Sequence, residues 1–183
     1  MLTGYVLRLA NTLGHAALAQ RASLLETLVV PLRIWPDDLD VYGHVNNGRF
    51  LTLMDQGRYD SLVRTGLGRA LLAHRMKPLV AGATIEFRRE LKAFQSASLH
   101  SRIAGWDDQA LYFEHRLERG GQLCAHGLVR LVTKQGRRTV PPAECFALIG
   151  FHEPSPDHRG LLDPIRPTRL PGTGRAPSVK QVD

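Results

Sequence analysis

One long helical pattern followed only by strand patterns is the feature that most narrows what this chain can fold into. Between residues 47 and 63, Phe50, Leu53, Met54, Gly57, Leu62 and Val63 recur at helical spacing. Few of the other positions line up into a polar face, so the helix is expected to be largely buried. Asn46 or Asn47 can cap its start, and Gly66 and Gly68 end it. Asp55 with Arg58, and Asp60 with Arg64, stand at ion-pair spacing along it. Downstream come stretches of strand character at 84–91, 99–106, 110–118 and 123–133. In the first, Ile85, Phe87 and Leu91 share one face, which Arg89 interrupts. Asp107-Asp108 and Gly120-Gly121 mark the turns between later strands. Upstream, the β-branched and leucine-rich segment 27–34 reads as a first strand ended by Pro36. Four or five antiparallel strands with one preceding helix is an α+β layout, the helix wrapped by a curved sheet.

The segment feeding that helix carries the chemistry. It reads Asp38-Leu39-Asp40-Val41-Tyr42-Gly43-His44-Val45-Asn46-Asn47, which sets acids, an imidazole and two amides just before a helix start. Free backbone N–H groups and the macrodipole at such a terminus can polarise a carbonyl. That combination suits acyl transfer or hydrolysis. Motifs for other chemistries are missing: the sequence has no G-x-S-x-G elbow, no phosphate-binding glycine loop, no H-E-x-x-H and no C-x-x-C, and neither cysteine has a histidine at zinc spacing, so no metal site is expected.

The formal net charge of +7 favours anionic partners. No Arg/Lys run interleaves with aromatics, which argues against nucleic acid. Cys124, in a strand pattern, reads as a small core residue of a reducing compartment, in keeping with a cytoplasmic protein. Three regions emerge. Residues 1–25 contain Leu2, Val6, Leu9, Leu13, Ala16 and Ala17 at helical spacing. Arg8 and His15 break the apolar run, so this is an amphipathic helix lying on its own domain, on a sister subunit or on a membrane surface, not a span. Residues 26–150 form the folded domain. Residues 151–183, rich in proline and arginine, read as an extended or disordered tail.

The motif Asp40-x-x-x-His44-Val45-Asn46-Asn47, followed by Met54-Asp55-x-x-Arg58, resembles hotdog-fold acyl thioesterases of the 4-hydroxybenzoyl-CoA thioesterase type. A second stretch, Thr84-Ile85-Glu86-Phe87-Arg88-Arg89-Glu90, resembles a strand of plant acyl-ACP thioesterases, which carry a similar loop. The resemblance covers roughly residues 27–139. It implies hydrolysis of acyl-CoA or acyl-ACP thioesters, with no cofactor beyond the coenzyme A or phosphopantetheine of the substrate. It also implies a homodimer or dimer of dimers with sites at the subunit interface. Asp40, His44 and Glu90 match the catalytic positions, and Tyr42 stands where the plant enzymes carry Asn. Tyr42, Asn46, Asn47, Gly48 and Arg88 are the expected substrate contacts: backbone N–H groups near Asn47 and Gly48 for the thioester oxygen, and Arg88 for coenzyme phosphates. His115 and His126 read as strand histidines with structural partners. The competing expectation is a non-catalytic acyl- or lipid-binding module held at a membrane by residues 1–25.

Overall fold

The computed structural model describes residues 2–157. Helix α1 (Leu2–Leu18) is followed by strand β1 (Leu28–Arg33), a single 3-10 turn at Pro36–Asp38, and helices α2 (Asn47–Arg64) and α3 (Leu67–Ala73). Then come strands β2 (Lys77–Phe87), β3 (Ser96–Trp106), β4 (Leu111–Arg119), β5 (Gln122–Gln135) and β6 (Arg138–Val140), and a short helix α4 (Pro142–Ala147). The sheet order is β1-β3-β4-β5-β2, antiparallel throughout, with β6 paired to β5.

That order positions the helix. β1 and β2 follow one another among the strands of the chain yet lie on opposite edges of the sheet, so the segment between them must cross a sheet face. α2 makes that crossing and packs on β1, β3 and β4. Its Leu53 and Met54 are fully buried against Leu99, Leu117, Cys124 and Ala125. A second cluster at the far end joins Leu67 and Leu71 of α3 to Trp106, Phe113 and Phe146. Each fully buried side chain of this size contributes on the order of 1.5–3 kcal/mol. Two glycines let helix and sheet meet: a Cβ at Gly127 would lie 2.5 Å from Met54 Sδ, and one at Gly57 would overlap Ser101 Oγ. The curled sheet around α2 is the hotdog arrangement expected from the sequence.

Several expectations shift. The strand expected at 84–91 runs from Lys77 to Phe87. It leaves the sheet after Phe87 because the N–H groups of Arg88 and Arg89 both donate to Cys124 O, at 2.8 and 3.0 Å. The chain does not simply stop at Gly66 and Gly68: Gly66, with φ +76°, turns the backbone directly into α3. α1 lies on α2, but its buried face only partly follows the expected apolar stripe: Ala16 of that stripe is buried, so is polar Thr12, and Val6 and Leu13 are exposed. The reason is polar complementarity, since Thr12 Oγ1 donates to Gln56 Oε1 at 2.8 Å and Arg8 reaches Asp38. No described helix is long and apolar enough to cross a membrane. Residues 151–157 carry no secondary structure, yet Phe151 packs on Trp106 and Phe146. Ser155 Oγ accepts the Trp106 N–H at 2.8 Å. The rest of the expected tail, 158–183, lies outside the described residues.

Candidate functional site

The motif segment folds into a tight turn before α2. Asp40 N–H donates to His44 O at 2.9 Å, and Gly43 N–H donates back to Asp40 O at 3.1 Å. Gly43 takes φ +78°, a conformation glycine adopts without a Cβ penalty. The turn presents Asp40 half-buried, with Oδ1 accepting Tyr42 N–H at 2.9 Å. The Tyr42 side chain itself is 80% exposed. Asn46 caps α2, its Oδ1 accepting Gly48 N–H at 2.9 Å. That cap engages the Gly48 N–H expected to face substrate. The Asn47 N–H, first of the helix, is left as an open donor among the described residues. A Cβ at Gly48 would press on Asn46 Oδ1 at 3.3 Å, so glycine here serves the cap.

A second segment meets the turn. Val45 N–H donates to Leu91 O at 2.8 Å, which sets the residues after β2 beside the loop. His44 Nε2 then lies 2.8 Å from Glu90 Oε2, while Glu90 Oε1 meets Lys92 at 3.0 Å. The Lys92 contact, and then the field of His44, hold the Glu90 carboxyl below its ordinary value. Arg88 does not join them: it pairs with Glu86 at 2.6 Å, out in solvent. Phe87 is half exposed and rests edge-on against Phe50 of the first α2 turn, ring centroids 5.1 Å apart. The expected set is thus divided, with Asp40, His44, Glu90 and the α2 start together and Arg88 facing away.

His115 and His126 take structural partners. Fully buried His115 is kept neutral by burial and by the Arg58 charge. Its Nε2 accepts from Arg58 at 3.1 Å, which leaves Nδ1–H to donate to Ser101 Oγ at 2.8 Å. His126 Nε2 pairs with Glu114 at 2.9 Å.

A family model described as the thioesterase-like superfamily matches residues 34–151. The chain belongs to this superfamily. Among relatives, it is 36% identical over 83 residues to protein THEM6 of Xenopus laevis, a match covering 45% of this chain and 40% of that protein. It is 28% identical over 96 residues to the long-chain acyl-CoA thioesterase FadM of Escherichia coli, covering 51% of this chain and 73% of that one. A Thermus thermophilus thioesterase, solved with coenzyme A and Zn, superposes with a TM-score of 0.59 at 26% identity, over 70% of this chain and 94% of that chain. The chain spans about half the length of the first curated relatives it matches.

The superfamily match begins at residue 34, so α1 lies outside it. From there Arg8 reaches into the base of the thioesterase-like loop and holds Asp38, with Nη2 to Oδ2 at 2.6 Å and Nη1 to Oδ1 at 3.0 Å. Asp38 is fully buried and also takes Arg49 at 3.1 Å and the Trp35 N–H at 2.9 Å; its carbonyl accepts Asn46 N–H at 2.9 Å. Burial alone would raise its pKa. The Arg8 hydrogen bond, the Trp35 amide and the nearby guanidinium charges outweigh that and hold the carboxyl below its ordinary value. Asp38 thus fixes both ends of the loop that presents Asp40. Sequence reasoning passed over it. The available signal was an acid three residues after Trp35, where a carboxylate reaches back to the N-terminal amide of a short helical turn.

Proposed function

We propose that the chain hydrolyses acyl-CoA or acyl-ACP thioesters to free acid and thiol. The observation that carries this is the His44–Glu90 contact beside the turn that presents Asp40, just before α2, on two segments bound together through Val45 and Leu91. The thioester oxygen sits at the helix start, where the Asn47 N–H and the helix dipole stabilise charge as it develops. Asp40, with Oδ1 held by Tyr42 N–H, takes a proton from the attacking water, and the C–S bond breaks to release the thiol; in the competing route Asp40 attacks the carbonyl itself, the C–S bond breaks to expel the thiolate, and water opens the resulting anhydride to free acid and the Asp40 carboxylate. The Glu90-paired His44 orients that water. The exposed Phe87 against Phe50 offers apolar surface to the acyl group.

The acyl chain has no room between α2 and its own sheet, where Leu53 and Met54 are wholly buried. Three clefts among the described residues, of about 830, 650 and 410 Å³, are lined by none of Asp40, His44 and Glu90. A second copy supplies the missing wall. β2 is an edge strand of 11 residues with Leu79, Val80 and Phe87 about half exposed, and a long apolar edge of this kind calls for a pairing partner. Pairing β2 with β2 joins the sheets and sets Phe87 and the loop of one copy beside the other.

The test is thiol release from acyl-CoA substrates ranging from acetyl to palmitoyl, by wild type and Asp40→Asn. Asparagine keeps the acceptor for Tyr42 N–H, so the loop survives. Turnover should fall by about 10²–10⁴ with the fold intact. Equal rates in the two proteins, zero included, would favour a binding module without catalysis.

A further inference from the structure

We infer that a groove at the C-terminal end of α2 is a second ligand site, for a single-chain amphiphile with a carboxylate head. It encloses about 650 Å³ between α1, α2 and α3. That is within the range of small-molecule pockets, about 300–1,000 Å³. Its walls include Leu13, Ala16 and Ala17 of α1, Leu62 of α2, Leu71 of α3, and Met76. Arg21, Arg64 and Arg69 stand along the lining. Arg64 is committed, donating to Gln20 O at 3.1 Å and lying 3.7 Å from Asp60. Arg21 and Arg69 are exposed, and neither has an ion pair among the described residues.

An apolar trough bordered by two uncommitted guanidinium groups is complementary to an apolar tail with one anionic end. Arginine presents paired N–H donors that match a carboxylate's two oxygens. The concave form suits one inserted chain better than a flat bilayer surface, which protruding side chains would meet. The site is separate from the proposed catalytic one: α2 rises about 1.5 Å per residue, so Tyr59 to Arg64 lie roughly 16–24 Å along the helix from Gly48. Its α1 wall and Arg21 precede the region matched by the superfamily, which begins at residue 34. It does not rest on the thioesterase reading.

The experiment is calorimetric titration of the full chain with dodecanoate below its micelle concentration, with dodecanol and dodecyltrimethylammonium as comparisons. Dodecanoate should bind about tenfold or more tighter than either. Arg21→Glu/Arg69→Glu should lose about tenfold in dodecanoate affinity. Ala17→Trp, at an exposed wall position, should block binding with the circular dichroism spectrum unchanged. Asp40→Asn should bind like wild type, which separates this site from the catalytic loop. Equal binding of the cationic amphiphile would overturn the assignment. So would unchanged affinity in both groove variants, or sedimentation with anionic phospholipid vesicles by a protein that ignores monomeric dodecanoate.

Discussion

Replacing Arg8 with methionine removes one guanidinium and keeps most of the side chain's bulk, so it asks what holds the motif loop in place. Wild-type Asp38 is fully buried, and Arg8 is 9% exposed, so water cannot take over the lost contacts. Removing one partner of a buried ion pair costs about 3–5 kcal/mol, because a charge is left stranded. Here Asp38 keeps Arg49 at 3.1 Å and the Trp35 N–H at 2.9 Å, which offset part of that loss. We therefore expect about 2–3 kcal/mol, a melting midpoint lower by roughly 4–12 °C for a domain of this size. The pH dependence carries the sign. Asp38 is held below its ordinary value of 3.8, so its contribution is fully present above that value and disappears as pH falls through the folded-state pKa. The gap between wild type and Arg8→Met should be constant near neutrality and close as the carboxyl protonates. Thermal melts followed by far-UV circular dichroism from pH 7 to pH 3 measure it. In an Asp38→Asn background the same substitution should cost much less, since no charge is stranded. A gap that persists unchanged into acid, or an equal cost in both backgrounds, would refute a charge-based role for Arg8.

Three further outcomes follow from the geometry. Gly127→Ala sets a methyl 2.5 Å from Met54 Sδ in a fully packed layer, and should destabilise by about 1–3 kcal/mol in urea unfolding. Glu90→Gln removes a solvent-exposed partner of His44, so it should lower kcat for thioester turnover while leaving the melting midpoint in place; unchanged kcat would remove Glu90 from the mechanism. Val80→Glu puts like charges together if two β2 edges pair, so it should shift the sedimentation coefficient to that of a monomer and abolish turnover together. Activity surviving in a proven monomer would place the complete site within one chain.

The helix and the later strands were legible because their burial is one-sided or complete, and a period survives in the residue order. β2 was legible only in its second half. The stretch Lys77–Ala83 has no alternation because the strand lies on an edge with both faces partly open; its strand character comes from pairing with β5, some 50 residues downstream. α3 did carry a local signal, Leu67 and Leu71 one turn apart, but Gly68 beside the turn glycine Gly66 reads as a continuing stop. β6 and α4 are three and six residues long, too short for any period to register.

The site divides along a similar line. Asp40, His44 and the asparagines were legible because a turn and a helix cap are local events, decided within a few residues. Glu90 lies 46 residues beyond His44, and only the resemblance tied it to the loop; the Val45–Leu91 backbone bond is what brings it there. Arg88 shows how far proximity in sequence misleads: two residues from Glu90, it sits where the chain has just left the sheet and turns back to Glu86. Asp38 left only a local capping signal after Trp35, and its pairing with Arg8 left none. The two residues are thirty apart on elements whose packing no periodicity encodes, and α1 met α2 through the Thr12–Gln56 hydrogen bond beside Ala16 while Val6 and Leu13 of its apolar stripe stayed exposed. A polar helix face that finds buried polar partners is invisible to hydrophobic periodicity. The cost of stranding a single such partner is nevertheless comparable to deleting a core leucine. The loop that presents Asp40 is therefore anchored by the contact that sequence reasoning is least equipped to find, and the acid series on Arg8→Met probes that anchor directly.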